Sequence, residues 1–441
     1  MKKHVPFILG AIACLGITGS ILAAQFYSSE QPLTGRPVNV IPLENGAALV
    51  TDKMSDADLD ALVDEITDSE GNLLEDSDER RQDFMDDFEN FRVVTADGST
   101  YSVDSTPFTV SLESASEDFD YTFYQVETSD GNLIIPQEWD VMGFIFLNSE
   151  DNSGFYACTD IGIWKLDPDN RTATKISSDS YNGQARESIL SSMTSENSLF
   201  WIDNPIVSPD GKYVVYRSNR TAPDASGDCV WVLNGDTGVE TQLTQNTGTY
   251  RAIQGFISNT EILVENYAGD TTSYSVLNIE TGAESPVAMP QLDNLMVFAV
   301  SANGYVALSS YDDTSEDTTI VKVTSNGVSV VSELENCYGK VEFSPSGNKV
   351  GIAFNEDNSM PDNNIVIVDL VLGTTQELSS AASAQTRSIG GNIDISDFAW
   401  VNDDAILVTQ EENSVANSIA GIFNSSSETT WFYHLEGGDI E

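Results

Sequence analysis

The pattern of hydrophobic and polar positions changes character twice along the chain. An uncharged, largely apolar run extends from Val5 to Tyr27 and carries Phe7, Ile8, Leu9, Ile12, Leu15, Ile17, Ile21 and Leu22. Residues 28–51 are loop-like, punctuated by Pro32, Gly35, Pro37 and Pro42, with one short extended stretch around Val38 to Ile41. A helical period follows. Ser55 can cap a first helix on which Leu59, Leu62, Val63 and Ile66 share a face, and a second can begin near Ser77 with Phe84, Phe88 and Phe91 on its stripe. From Phe91 onward the helical spacing vanishes, and short β-rich runs alternate with Gly, Asn, Asp and Ser.

These β-rich runs repeat. One unit is strand, tight polar turn, strand, as in Pro205–Tyr216 and Val341–Val350, with degenerate copies at Gly255–Val264, Phe298–Leu308 and Phe398–Val408. Ser208, Ser258, Ser301, Ser344 and Asn402 take equivalent places in them, spaced by 50, 43, 43 and 58 residues. A second unit follows each first one, an outer hairpin whose turn uses Asp, Asn, Thr and Gly, as at Asn234–Gly238 and Asn278–Gly282. Two hairpins per ~40–50 residues make one four-stranded propeller blade, which must stack on its neighbours to bury both faces.

Outer hairpins fall at Tyr121–Ile135, Ile161–Ile176, Val230–Leu243, Tyr274–Val287, Thr319–Val331, Ile365–Leu378 and Ile419–Leu435. The expected fold is therefore an all-β propeller of seven four-stranded blades over residues 91–441. Six blades with an extra N-terminal β element is the alternative, because the inner half of the first blade, Phe91–Leu112, lacks the turn signature. The predicted order is an export or anchor helix (1–27), a linker (28–51), an acidic helical segment (52–90), then the propeller. The two chain ends are expected to share a blade, which removes exposed edges.

Ser208-Pro209-Asp210-Gly211-Lys212-Tyr213-Val214-Val215-Tyr216 resembles the Ser-Pro-Asp-Gly repeats of TolB-type propellers and of prolyl oligopeptidase propeller domains, and Ser344-Pro345-Ser346-Gly347-Asn348-Lys349 is a near match. The resemblance implies the fold and, in the TolB case, a periplasmic protein-binding role. It carries over no activity, since propellers host many. Physically, Pro fixes φ, Asp and Gly make the turn, and Asp210 is expected to be structural.

Charge narrows the partners. The chain of 441 residues has 19 basic and 70 acidic residues, a formal charge of −51, which repels nucleic acid and anionic headgroups. Basic proteins, cations or a salty environment suit such a surface, and solubility alone also accounts for it. Between Asp52 and Arg92 there are 16 acidic and 4 basic residues. This segment reads either as a helical pair packed on the propeller or as an arm that grips a basic partner. Lys2 and Lys3 before the apolar run mark export, with everything after Tyr27 outside the membrane. A cleaved signal, an uncleaved anchor and lipid attachment at Cys14 are the three fates.

Candidate chemistry is sparse. The chain has no Gly-x-Ser-x-Gly elbow, and of its two histidines one is His4 and the other, His434, lies in a predicted strand, so no nucleophile–histidine apparatus and no histidine metal centre is expected. Cys158, Cys229 and Cys337 read as one bridge with a spare thiol or as three buried thiols. Asp167-Pro168-Asp169-Asn170, Asp312-Asp313 through Asp317, and Glu356-Asp357-Asn358 are oxygen-rich clusters that could hold calcium or serve as solvated turns. Asn170 and Asn219 begin short glycosylation sequons. No catalytic or cofactor-binding residue is nominated. The expected function is an exported, monomeric envelope scaffold that binds a protein, peptide or glycan without catalysis. The alternatives are a carboxylate-dependent hydrolase acting at the central channel and a sensor ectodomain.

Overall fold

In the computed structural model the described residues are 27–435 apart from 34–36, 53–55, 69–71, 75–76, 78–79, 81–90, 116–117, 138–142, 179–200, 221–228, 246–248, 270, 293, 312–315, 336, 355–363, 380–391 and 414–426. Cys14 and the export run to Phe26 therefore lie outside them. Among the described residues no helix is long and apolar enough to cross a membrane.

The chain is a β-propeller of eight sheets, seven with four strands and one with three. From the axis outward, the first blade is Pro37–Pro42, Ala48–Asp52, Phe91–Val94 and Thr100–Ser102. The second holds only Ser105–Glu113, Asp118–Thr128 and Gly131–Pro136. The third is Phe144–Asn148, Phe155–Thr159, Ile163–Asp167 and Thr172–Lys175. The fourth is Asp203–Val207, Tyr213–Ser218, Cys229–Asn234 and Glu240–Gln242, and the fifth Tyr250–Phe256, Glu261–Ala268, Thr271–Asn278 and Glu284–Val287. The sixth is Met296–Val300, Tyr305–Tyr311, Glu316–Thr324 and Gly327–Leu334, and the seventh Val341–Phe343, Lys349–Phe354, Asn364–Asp369 and Thr374–Ser379. The eighth runs Asn392–Asn402, Ala405–Asn413 and Ser427–Leu435, and the N-terminal strand Tyr27–Leu33 completes it by antiparallel pairing, Glu30 opposite Tyr433. The two ends of the chain thus share one blade, as the pattern of the final strand predicts.

Eight blades correct the expectation of six or seven, and the reason is an insertion. Residues 53–90 separate the second and third strands of the first blade, which breaks the repeat period there. Phe91–Leu112 is consequently not the inner half of a blade. Phe91–Val94 and Thr100–Ser102 are the outer hairpin of the first blade, and Ser105–Glu113 opens the second. Residues 28–51, read as a linker, contribute three strands. Of the predicted Ile419–Leu435 hairpin, residues 419–426 lie outside the described residues, and Ser427–Leu435 pairs with Ala405–Asn413 on its inner side and Tyr27–Leu33 on its outer side. The helix Asp56–Ile66 falls in the insertion, so the acidic segment lies within a blade rather than ahead of the propeller. Of its predicted apolar face, Leu62 is buried, Ile66 half-buried and Val63 exposed. The second predicted helix falls almost wholly outside the described residues.

The three-stranded blade is entered from outside. Only Val103 and Asp104 separate the outermost strand of the first blade from Ser105–Glu113, and the chain then steps inward through Asp118–Thr128 to Gly131–Pro136. Asn152 Nδ2 donates to the Pro42 carbonyl at 2.9 Å, joining the third blade to the first past this sheet.

The core lies in layers between blades. Val215 and Val232 of the fourth blade pack on Ile253, Ile262 and Val264 of the fifth, and Ile365 and Ile367 of the seventh on Phe398, Trp400 and Ile406 of the eighth. The layer around the three-stranded blade is aromatic, with Tyr121 stacked on Phe144 at 4.3 Å and Phe108 on Phe123 at 5.7 Å. Both faces of each blade are covered, so the middle strands read as continuous apolar runs, such as Ile365-Val366-Ile367-Val368. Cys158, Cys229 and Cys337 are three buried thiols with no disulfide among them, and burial pushes the Cys158 thiol up. His434 sits half-buried in its strand, as expected.

Candidate functional site

The two faces of the ring are built differently. Strands one and two, and strands three and four, are joined on one face by tight turns. Ser208 Oγ accepts the Tyr213 N–H and Ser344 Oγ the Lys349 N–H, closing the two sharp motif turns. Ser258 and Asn402 cap their turns in the same way, as the repeat predicts. Ser149 and Asn45 do so too, two further copies that the repeat reading missed. Asp210 is structural: it accepts from Ser208 Oγ and from Lys212 Nζ, and although burial works against it, these bonds hold its carboxyl below the usual range.

On the opposite face lie the strand ends that flank the longer connections 53–90, 176–202, 219–228, 355–363, 380–391 and 414–426, each of which falls in the sequence between a second and a third strand or between a last strand and the next blade. Loops presented on a rigid scaffold are where binding functions concentrate.

Exposed apolar side chains converge on the mouth of that face. Val38, Ile145, Tyr250 and Met296 stand in the first two positions of innermost strands, and Tyr338 three residues ahead of one. Tyr267 pairs across from Tyr250, with ring centroids 5.7 Å apart, and Tyr311 ends its blade's second strand. Half of the exposed large apolar side chains among the described residues thus rim one opening. Exposed apolar groups clustered in this way mark interaction sites, whereas scattered ones do not. Beneath Tyr250 lies Arg217, its guanidinium 4.4 Å from the ring centroid, paired with Asp203 and donating to the Arg251 carbonyl at 3.2 Å.

Across the mouth, a cavity of about 200 Å³ opens between the seventh, eighth and first blades. Pro37–Val40, Lys340, Glu342, Asp397–Ala399, Leu407 and Thr409 line it. Lys340 Nζ stands 2.5 Å from Asp397 Oδ1, 3.1 Å from Glu342 Oε2 and 2.6 Å from the Phe398 carbonyl, over the Phe398 ring. Burial pushes the Glu342 carboxyl up, and the Lys340 charge only partly offsets it. Burial lowers Lys340, but the two carboxylates outweigh it and raise it overall.

This geometry bears on the hydrolase alternative. A retaining glycosidase holds two carboxyl groups ~5 Å apart with the reacting sugar carbon between them. Here the space between Glu342 and Asp397 is taken by an ammonium, so the pair forms an ion-pair network. Among the described residues no three His, Cys, Asp or Glu side chains converge on a metal position. Asp167 spends its oxygens on its own turn, accepting from the backbone of Asp169 and Asn170 and from Asn170 Nδ2, while Asp312, Asp313 and Glu356–Asn358 lie outside the described residues.

Sequence reasoning placed a ligand at a propeller face or axial mouth but named none of these residues. Lys340 and Glu342 are separated from Asp397 by more than fifty positions, and the mouth aromatics come from different blades. The available signal was the recurrence of large apolar residues at the entry of successive innermost strands.

No known family profile matches the chain, and no curated protein does. Among solved structures, TolB from Acinetobacter baumannii is 11% identical with a TM-score of 0.34, covering 93% of this chain and 98% of that one. The putative TolB from Agrobacterium tumefaciens is 13% identical with a TM-score of 0.35, over 63% and 91%. An oligogalacturonate lyase from Vibrio parahaemolyticus is 10% identical with a TM-score of 0.43, over 77% and 99%. The chain is thus similar to TolB proteins and to a lyase at identities that assign it no activity, substrate or partner.

Proposed function

We propose that this chain is an exported binding scaffold of the cell envelope whose loop-bearing mouth receives a protein, peptide or glycan partner. The observation that carries the reading is the convergence of Val38, Ile145, Tyr250, Tyr267, Met296, Tyr311 and Tyr338 on one opening, on the face that also bears the long loops. The positively charged start and apolar run of the sequence support export. Occupation of the space between Glu342 and Asp397 by Lys340 favours binding over carboxylate hydrolysis.

Binding of the full-length chain to peptide and glycan arrays tests this. Tyr250→Ala with Tyr267→Ala is expected to weaken captured ligands at least tenfold, the loss of roughly 1.4 kcal/mol or more that two aromatic platforms supply. The rings are 47% and 37% exposed and Tyr250 also covers Arg217, so a modest fall in melting temperature is expected alongside the loss of binding. Unaltered binding by the double variant, or turnover of an arrayed glycan, would overturn the reading.

A further inference from the structure

We propose that the mouth at the fourth and fifth blades holds the C-terminal end of a partner polypeptide, with the terminal carboxylate on Arg251, the last backbone N–H on Asn266 and the last side chain against Tyr250 and Tyr267. This rests on the reading of the mouth as the binding face and names the part of the partner that it takes.

Arg251 and Asn266 stand directly opposite each other on the first two strands of the fifth blade, so their side chains share one face. Both residues are more than nine-tenths buried, at 8% and 9% exposure. Arg251 Nε and Nη1 are buried and donate to nothing, and Asn266 Oδ1 is buried and accepts from nothing. The neighbouring carboxylate is engaged elsewhere. Glu284 Oε1 accepts from Ser275 Oγ at 2.7 Å, and Ser275 Oγ accepts from Asn266 Nδ2 at 2.9 Å. Glu284 Oε2 stays 3.8 Å from Arg251 Nη2, beyond hydrogen-bond reach. Buried donors and acceptors left unmet are costly, and nearly all in folded proteins find a partner. Two unmet donors beside one unmet acceptor call for a group that brings an anion and an N–H together. The terminal residue of a polypeptide does so, with its carboxylate next to its own amide N–H.

The rim supplies the rest. One step along each strand, ~3.4 Å nearer the mouth, are Tyr250 and Tyr267, 47% and 37% exposed with ring centroids 5.7 Å apart, a platform for an apolar terminal side chain. Arg217 lies beneath Tyr250 and donates to the Arg251 carbonyl, which fixes the backbone that carries both. The guanidiniums of Arg217 and Arg251 balance the carboxylates of Asp203 and Glu284, so this sector is locally neutral in a chain of formal charge −51. That charge decides which carboxylate is taken. A polyuronate brings one negative charge per ring into a repulsive field, whereas a polypeptide brings one at its end and can be basic along the rest.

Binding of the full-length chain to an array of hexapeptides, each displayed with a free C-terminal carboxyl and again as the amide, tests the proposal on the unaltered protein. Free acids are expected to bind roughly tenfold or more tightly than their amides, because a charge-assisted bond is lost in the amide. In Arg251→Gln, which removes the cation, that preference should fall below about threefold. Arg251→Lys keeps the charge and should retain most of it, which carries the test if the glutamine variant melts early. Equal binding of acids and amides by the parent would overturn the proposal. So would a preference unchanged in Arg251→Gln, the result expected if only buried water meets these groups. Absence of any hexapeptide binding, or displacement of the peptides by a mannuronate hexamer at lower concentration, would also overturn it. If the Tyr250→Ala, Tyr267→Ala pair abolishes array binding while acids and amides bind the parent alike, the binding-face reading stands and this inference fails. If neither the tyrosine pair nor the terminal group matters, both fail.

Discussion

Replacing Glu240 by leucine is expected to lower the unfolding free energy by about 3–5 kcal/mol, among the largest effects of any single side chain on this fold. Glu240 lies on the outermost strand of the fourth blade, against the third. Arg220 Nη1 meets its Oε1 at 2.6 Å, and the two side chains are 8% and 5% exposed. Tyr216 donates its hydroxyl to the same oxygen at 2.6 Å, while Ser178 donates to the other through both its N–H and its hydroxyl. The guanidinium also lies over the Trp231 ring, and its Nε and Nη2 find no hydrogen-bond partner. Without the carboxylate, a buried cation keeps only the Trp231 and Tyr216 rings and a 3.3 Å hydrogen bond to the Tyr216 hydroxyl. Equilibrium urea unfolding of parent and variant measures the difference.

The same residue gives a pH signature. Burial acts to raise the Glu240 carboxyl, but its bonds from Arg220, Ser178 and Tyr216 prevail and hold it below the ordinary glutamate value. A carboxyl whose folded pKa is depressed stabilises the fold fully above its unfolded pKa of ~4.3 and loses that contribution as pH falls through the folded value. The leucine variant should therefore lose less stability than the parent on acidification below about pH 4.

The second large effect is expected at Gly211. Its φ of +66° places it in the left-handed region, where a side chain costs roughly 1–2 kcal/mol. A Cβ there would also stand 2.7 Å from the Gly154 nitrogen and 2.8 Å from its Cα. The tight turns of the third and fourth blades touch backbone to backbone at this pair, and Tyr156 donates its hydroxyl to the Gly211 carbonyl at 2.5 Å. Alanine at 211 must push two blades apart, and a total loss of about 3 kcal/mol or more is expected. Gly373→Ala is the matched control, since Gly373 has φ +68° but nothing within 4 Å of an added Cβ, so only the conformational cost applies. Similar losses from both variants in parallel thermal melts would contradict the interblade contact.

Gly211 also shows how far the repeat could be read. Ser208-Pro209-Asp210-Gly211 announces a tight turn because its chemistry is local, and the structure places that turn where the motif says. The contact with Gly154 was invisible, because it depends on which turn comes alongside. The blade count went wrong for a related reason. Val38–Ile41 and Ala48–Val50 are ordinary strand sequence, but residues 53–90 separate them from Phe91–Val94, and periodicity cannot bridge an insertion about as long as a blade. Tyr27–Leu33 pairs with Ser427–Leu435 across the whole length of the chain, so only the general need to close a ring's edge foretold it.

The candidate site was legible only as a place. Net charge and the recurring hairpins pointed to a propeller mouth and to cationic partners. Lys340, Glu342 and Asp397, by contrast, are three polar residues among many until the seventh and eighth blades stack. The mouth tyrosines look like ordinary strand aromatics until the innermost strands are aligned at one end.

The most direct test of the binding-face account is photocrosslinking in the cell that makes the protein, with a benzoylphenylalanine placed in turn at Tyr267, Tyr338, Val239 and Leu372. The first two are exposed at the mouth, and the last two are exposed in turns of the opposite face. The account predicts discrete adducts from Tyr267 and Tyr338, lost on adding Tyr250→Ala, and none from Val239 or Leu372. Adducts of equal yield from both faces, or from the turn face alone, would contradict it.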